Sequence, residues 1–80
     1  MKVYLLTSCE NKDVEFLEIK IYKKYKDAYK EMNAQQYNET LKNMDSIVTI
    51  KTGTWGAENI FERENSLVSH VWCISEHKVE

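Results

Sequence analysis

The 80-residue sequence has no proline, two glycines, two cysteines and one arginine, and each shortage narrows what the chain can be. With neither glycine nor proline between Lys24 and Met44, nothing in that stretch interrupts a helix. No apolar run approaches the length of a transmembrane helix. The opening MKVYLLTSC has a short apolar run and no small-residue cleavage signal, which is typical of a strand rather than a signal peptide.

The few cysteines and histidines do not form a recognisable metal or catalytic motif. On a strand, His70 and Cys73 point to opposite faces, while Cys73 and His77 lie roughly 13 Å apart, too far to share one ion. The same distance argues against a Cys-His nucleophilic pair. Without an export signal, we expect Cys9 and Cys73 to stay reduced and to be buried as small apolar groups, with the histidines exposed.

Other catalytic signatures are missing as well. The sequence has no glycine-rich phosphate loop, no Gly-x-Ser-x-Gly elbow and no His-Glu-x-x-His helix. Glu58, Glu62, Glu64 and Glu76 are explained by the need for charged groups on a domain surface. We therefore expect a protein that is not an enzyme and that has no cofactor and no metal.

The length and composition predict one small domain that spans residues 1–80. With 42% hydrophobic and 30% charged residues the chain is an ordinary globular protein, and its eleven per cent of aromatic residues argues against disorder. A domain of this size buries only roughly 60–65% of the surface of its unfolded chain, so we expect marginal stability.

The two ends of the chain are predicted to be neighbouring central strands. In Ser66–Glu80, apolar groups fall on both faces of one strand, which is typical of a strand covered on both sides. These groups are Leu67, Val68, Val71, Trp72, Cys73 and Ile74. Lys2–Cys9 alternates Val3 and Leu5 with Tyr4 and Leu6, and it is predicted to lie beside the last strand.

The second strand and the helix are predicted from their periodicities. After a polar turn at residues 10–13, Leu17, Ile19 and Ile21 alternate with polar residues, which indicates a strand with one solvated face. Residues 24–44 predict a helix of about 20 residues, because apolar side chains recur at helical spacing at Tyr25, Ala28, Tyr29 and Met32. We expect this helix to cover the face that carries Leu17, Ile19 and Ile21.

The remaining third of the chain predicts two or three further strands. Residues 45–52 indicate a strand, Gly53–Gly56 a turn, and Asn65-Ser66 the start of the last hairpin. Residues 57–64 fit either an edge strand or a helical turn. The fold class is α+β, a four- or five-stranded antiparallel sheet with one helix on one face, in the order β-β-α-β-β-β. The other face then needs a cover, either residues 55–61 or a second copy of the chain.

A basic and apolar row is the main candidate for partner binding. Along a straight helix Lys23, Lys26, Lys30, Tyr37, Leu41 and Met44 line one outward side. Alternatively, the helix breaks near residues 33–36 and turns Tyr37 and Leu41 into the core, and the lysines form an ordinary solvated face. Trp55, between two glycines, is either a binding anchor or a cap on the open end of the sheet.

The segments K-V-Y-L-L-T at Lys2–Thr7, I-Y-K-K-Y-K-D-A at Ile21–Ala28 and W-C-I-S-E-H-K-V-E at Trp72–Glu80 resemble very small orphan proteins of phages and mobile elements of low-GC bacteria. Such proteins often have Ser or Asp before the helix, where this chain has Lys23-Lys24, so the usual N-cap is missing. The resemblance implies an inhibitor of bacterial immunity, such as an anti-CRISPR protein. It carries no functional residue over.

Three functions follow as hypotheses. The first is a phage-encoded, cytoplasmic inhibitor that docks on a host defence protein or ribonucleoprotein, with a homodimer as a further expectation. The second is a nucleic-acid-associated accessory protein that uses the segment Lys20–Lys30, whose charge is about +4 within a chain of net charge −2. The third is a small-ligand-binding or sponge protein with a pocket between helix and sheet.

Overall fold

The computed structural model describes residues 1–11 and 18–79, and this part of the chain forms five strands and one helix. The strands are β1 (Lys2–Glu10), β2 (Glu18–Tyr22), β3 (Ile47–Thr52), β4 (Gly56–Arg63) and β5 (Ser66–Lys78), and the helix α1 (Tyr25–Lys42) follows β2. All neighbouring strands are antiparallel, in the order β2-β1-β5-β4-β3. The predicted fold class and order of elements are confirmed.

The last strand is the central strand of the sheet, as its apolar residues on both faces predict. β5 lies between β1 and β4, and its Trp72 is only 1% exposed beneath α1. Ile74 is buried on the same side, next to Leu6 of β1. This side of the sheet therefore holds the core.

Residues 57–64 form an interior strand, so the reading of this segment as a strand is confirmed, while its place at an edge and the alternative of a helical turn are wrong. β4 pairs with β5 on one side and with β3 on the other. Its Phe61 is buried, and so is the side chain of Asn59. The edges of the sheet are β2 and β3, and the pairing of β3 with β4 is interrupted by a bulge between Ile47 and Thr49.

Two backbone features bring β4 close to β5. Between β4 and β5, Glu64 and Asn65 both adopt positive φ angles, 50° and 66°, which makes a two-residue hairpin turn at the predicted place. At the start of β4, a Cβ added to Gly56 would lie 3.0 Å from the carbonyl oxygen of Trp72. Glycine therefore allows β4 to begin in close contact with β5.

The helix runs without a break from Tyr25 to Lys42, so the predicted break near residues 33–36 is wrong. Its buried side chains are Ala28, Met32 and Gln36, one turn apart. Gln36 occupies the next inward position after Ala28 and Met32, but its side chain is an amide. The apolar pattern in the sequence therefore ends at Met32, although the helix continues. Lys24 precedes the helix and gives no side-chain cap, as the sequence predicts.

The helix covers the opposite face of β2 from the predicted one. Lys20 and Tyr22 lie on the side of α1, because Lys20 is paired with Leu6 in the register and its ammonium contacts Glu31 of the helix. Ile19 and Ile21 point to the other side of the sheet and are exposed. Leu17 lies outside the described residues. The alternation of β2 was read correctly, but the polar side of the strand is the one that packs against the helix.

A hydrogen-bond network fixes the second half of α1 to the sheet. The buried Gln36 amide donates to the Lys51 carbonyl at 2.9 Å and to Asn59 Oδ1 at 3.0 Å. Its oxygen accepts from the Thr52 hydroxyl at 2.8 Å, and Asn59 Nδ2 donates to Thr40 Oγ1 at 3.1 Å. These buried polar groups are thus satisfied by one another. Within residues 1–11 and 18–79, no helix has the length and apolar character needed to cross a bilayer.

Candidate functional site

The unbroken helix places Tyr37 and Leu41 on its outside, whereas Lys23 precedes the helix and Met44 follows it, so the predicted row is helical only from Lys26 to Leu41. Tyr37, Leu41 and Met44 are between 50% and 68% exposed, so the alternative that buries Tyr37 and Leu41 in the core is wrong. Lys26 and Lys30 continue the same side toward the start of the helix and are also exposed. We call Lys26, Lys30, Tyr37, Leu41 and Met44 the outer helix row.

The apolar end of the outer helix row lies next to the edge strand β3. Tyr37 and Ile50 line a shallow groove of about 300 Å³, with Thr40, Asn33 and Gln36 as its other walls. Ile50 is about half exposed. The sequence did not single out Ile50, because the row on the helix is visible from spacing whereas its neighbour on another element is not.

The basic segment is less uniform than its sequence suggests. The Lys20 ammonium lies 3.1 Å from the Glu18 carboxylate and 3.4 Å from that of Glu31, and these hydrogen bonds raise the pKa of Lys20. A hydrogen bond from Gln35, together with that from Lys20, lowers the pKa of Glu31. In contrast, Lys23, Lys26 and Lys30 are exposed and form no ion pair with any described residue.

Trp55 packs at the end of the sheet while keeping 47% of its surface exposed. Its ring lies 4.8 Å from that of Tyr25 and 6.5 Å from that of Tyr4, measured between centroids. The Trp55 carbonyl accepts a hydrogen bond from the Ile74 amide at 2.8 Å. The indole therefore caps this end of the sheet on the helix side and still presents an aromatic surface. It is not part of the outer helix row.

The side of the sheet opposite the helix carries uncharged side chains on three adjacent strands. On β2, β1 and β5 the pairing places these residues on that side: Ile19, Ile21, Val3, Leu5, Thr7, Cys9, Leu67, Ser69, Val71, Cys73, Ser75 and His77. None is Lys, Arg, Asp or Glu. Ile19, Ile21 and Leu67 are between 55% and 68% exposed. We call this surface the open face.

The expected burial of the cysteines and histidines is wrong in two cases. Cys73 is exposed on the open face and Cys9 is half-buried, while His70 is 8% exposed beneath the helix. His77 is exposed, as expected. His70 and Cys73 do point to opposite faces. In the described part of the chain, no three His, Cys, Asp or Glu residues are placed to hold a metal ion.

A polar cavity of about 300 Å³ lies between α1 and the strands β2, β1 and β5. Two of its lining residues, Ser8 and His70, are more than nine-tenths buried, and neither side chain has a hydrogen-bond partner among residues 1–11 and 18–79. The His70 ring stacks on Trp72 at 4.2 Å between centroids. The other walls are Glu18, Gln35, Asn38, Glu39 and Lys42.

The protonation of His70 is controlled by its burial in this cavity. Burial lowers the pKa of His70, while the nearby charges of Glu39 and Glu10 act in the opposite direction and that of Lys42 adds to the lowering. The imidazole is therefore neutral near pH 7, with one nitrogen that donates and one that accepts. No spacing in the sequence indicates this cavity, because its residues come from four separate elements.

Comparison of the chain with protein-family models, curated proteins and solved structures found no match.

Proposed function

We propose that the chain is a non-enzymatic protein that binds another protein through the outer helix row and the neighbouring Ile50. The observation that carries this proposal is the exposure of Tyr37 and Leu41, one turn apart on the outer side of a helix whose inner side is already packed. Ile50 of β3 lines a groove with Tyr37, and Met44 is exposed just after the helix ends. Large apolar side chains grouped on a surface are typical of binding sites, and aromatic residues are frequent anchors in them.

The charges around this surface indicate the chemistry of the partner. Lys23, Lys26 and Lys30 are free of ion pairs with described residues and lie toward the start of the helix. A partner with an apolar patch beside an acidic one would match both ends of the row, and complementary charges mainly set specificity and the rate of association. Trp55 adds an aromatic surface at the end of the sheet, as a second point of contact.

The setting that we propose is the cytoplasm of a bacterial host, where the protein is a phage-encoded inhibitor of a defence nuclease of the CRISPR type. The resemblance of three segments to small phage proteins supports this setting, and the compact docking surface supports the mode of action. Nucleic-acid binding by residues 20–30 is less well supported, since the charge of Lys20 is already paired with Glu18 and Glu31. Self-association, which the sequence also indicates, would use the open face and not the outer helix row.

A phage-plating assay tests the proposal. The chain is expressed in strains that each carry one CRISPR system directed against a phage, and plaques are counted. We expect the wild type to restore plating in at least one strain, and Leu41→Asp to abolish this while its melting temperature stays within a few degrees of the wild type. Val48→Asp, at another exposed apolar position, is the matched control. No restoration in any strain, together with no binding to the purified nucleases, would refute the proposed function.

A second candidate function rests on the polar cavity. Ser8 and His70 line the cavity with polar atoms that are open to it and form no hydrogen bond to a described residue, so they are available to a small ligand. An aromatic floor with amide and carboxylate walls suits a planar heterocycle with N–H groups, such as a nucleobase. The test is a thermal-shift screen with purine and pyrimidine mononucleotides. A rise in melting temperature that Ser8→Ala removes would support it, and no shift at millimolar nucleotide would contradict it.

A further inference from the structure

The open face is the largest feature of the molecule that its fold leaves unexplained. The outward side of a sheet in a small α+β domain is usually polar where it meets water. Here β2, β1 and β5 present no charged side chain on that side, and three aliphatic residues there, Ile19, Ile21 and Leu67, are more exposed than buried.

The described part of the chain does not cover this face. The helix packs on the other side, and the segment before β4 keeps Trp55 on the helix side, against Tyr4 and Tyr25. Val79 does not cover it either, because its amide is hydrogen-bonded to the Met1 carbonyl along the β1–β5 pairing. Of the two covers expected from the sequence, residues 55–61 are thus excluded.

We propose that the open face packs against the open face of a second copy of this chain. The chemistry of the face favours this occupant, because two such surfaces meet without burying an unpaired carboxylate or ammonium group. The net charge of −2 lies elsewhere on the molecule and gives little repulsion across the contact. A nucleic acid would need cationic groups, which these three strands do not present on this side.

The charged residues at one side of the face are compatible with this packing. Lys51 of β3 lies directly opposite Glu58 of β4 on the same side of the sheet, so the two charges can pair with each other at the rim. Glu62 lies near the end of β4, opposite Leu67. The uncharged area therefore spans β2, β1 and β5, and the charged groups lie to one side of it, on β4 and β3.

The outward side of the whole sheet, which is the open face together with the charged positions on β4 and β3, is close to the size that a stable dimer needs. Five strands about 4.8 Å apart, with about eight residues each at about 3.3 Å, give roughly 24 Å by 27 Å, or about 650 Å², of which the open face is about two thirds. Stable interfaces bury about 800 Å² per partner. In a two-fold arrangement the central strand β5 lies over its own copy, which places Cys73 near the centre of the contact.

The mass of the protein in solution tests this inference, by comparison of the wild type with one variant on the open face and one on the outer helix row. In reducing buffer, sedimentation equilibrium from low micromolar to near millimolar protein should show the wild type approaching about 19 kDa, twice its 9.5 kDa. Ile21→Lys should weaken the dimer by about a hundredfold or more, because it buries an unpaired ammonium. Leu41→Lys, at a similarly exposed apolar position on the outer helix row, should stay dimeric.

Several results would overturn the inference: a wild type that is monomeric over the whole range, a dimer that Ile21→Lys leaves intact, or one that Leu41→Lys disrupts. Since Ile21 is exposed in the single chain, its replacement should not unfold the protein, and circular dichroism checks this. A separate readout is the reaction of Cys73 with a thiol reagent in a Cys9→Ser background. It should slow as protein concentration rises, and a constant rate would also count against the dimer.

This inference is independent of the proposed function, since the two use opposite sides of the molecule. A chain that is dimeric and protects no phage would refute only the proposed function. A monomer that protects phage would refute only the dimer.

Discussion

On the side of the sheet that the helix covers, the side chains include Asn59, His70 and Ser8, whereas on the side left open they include Ile19 and Ile21. Asn59 is accepted on the covered side because the helix supplies its partners, Gln36 and Thr40, while Ser8 and His70 line the polar cavity. No such partner is needed on the open face, whose groups are apolar or small. Which side of the sheet is buried therefore depends on the hydrogen-bond partners that the helix supplies, and not on the hydrophobic pattern alone.

The largest loss of stability is expected when the largest side chain of the covered side is removed. Trp72→Ala should lower the free energy of unfolding by about 3–5 kcal/mol, since it removes a fully buried indole and leaves a cavity. For a domain of marginal stability this is most of the total. Urea unfolding followed by circular dichroism measures it. Trp55→Ala, at a half-exposed indole, should cost only about 1 kcal/mol. Equal losses would show that Trp72 is not the centre of the core.

The polar network on the covered side should contribute less to the free energy of unfolding than the Trp72 indole, and its members should be energetically coupled. Asn59→Ala should cost about 1–3 kcal/mol, because Gln36 Nε2 loses an acceptor in a buried position. Gln36→Ala should cost a similar amount, and the double variant less than the sum by about 1 kcal/mol. Unfolding of the four proteins in urea gives the coupling. Asn33→Ala, at an exposed helix position, is the control, and strict additivity would mean that the two side chains act separately.

Protonation of His70 should weaken the covered side as pH falls. Because burial lowers the pKa of this imidazole, the unfolded chain takes up the proton more readily than the folded chain. The contribution of His70 is therefore fully present above its ordinary pKa of about 6.5 and is lost as pH falls through the lower, folded value. Melting temperatures from pH 8 to pH 5 measure this loss.

The matched variants for this titration are His70→Gln and His77→Gln, the second at an exposed position. His70→Gln should reduce the decline in melting temperature between pH 7 and pH 5, and His77→Gln should leave it unchanged. A decline that persists equally in both would assign it to carboxylates rather than to His70.

The smallest effect is expected on the open face. Ile21→Thr should change the free energy of unfolding by less than about 0.5 kcal/mol at low protein concentration, where the chain is monomeric, because the side chain is mostly exposed. The same change should lower stability more as concentration rises, since a dimer adds to the stability of the wild type. Denaturant midpoints at two concentrations test this, and a large loss at low concentration would place Ile21 in the core.

The fold could be predicted from the sequence wherever one element carries its own signal. The apolar groups on both faces of β5 marked it as central, and the stretch without glycine or proline marked α1. The side of β2 under the helix could not be predicted, because Lys20 lies there through its ion pair with Glu31, a residue of another element. β4 was ambiguous because a polar residue such as Asn59 is unexpected inside a sheet. It is compatible with an interior strand here because Gln36 of the helix donates a hydrogen bond to its side chain.

Some parts of the candidate site could likewise be predicted from the sequence, and others could not. The outward position of Tyr37 and Leu41 follows from helical geometry alone, and both are on the surface; Met44 is exposed as well, in the turn after α1. The groove with Ile50 and the cavity at His70 depend on which strands the helix meets, and no spacing in the sequence contains that information. Whether the outer helix row binds a partner stays a prediction.

The bulge between Ile47 and Thr49 has a consequence for how copies of this protein can assemble. It lies on the edge strand β3, and a bulge there interrupts the regular row of backbone groups that another chain would need to extend the sheet. The opposite edge, β2, is only five residues long. Growth of the sheet by strand addition is therefore disfavoured at both edges, so the dimer proposed above would end at two copies instead of continuing into a fibril.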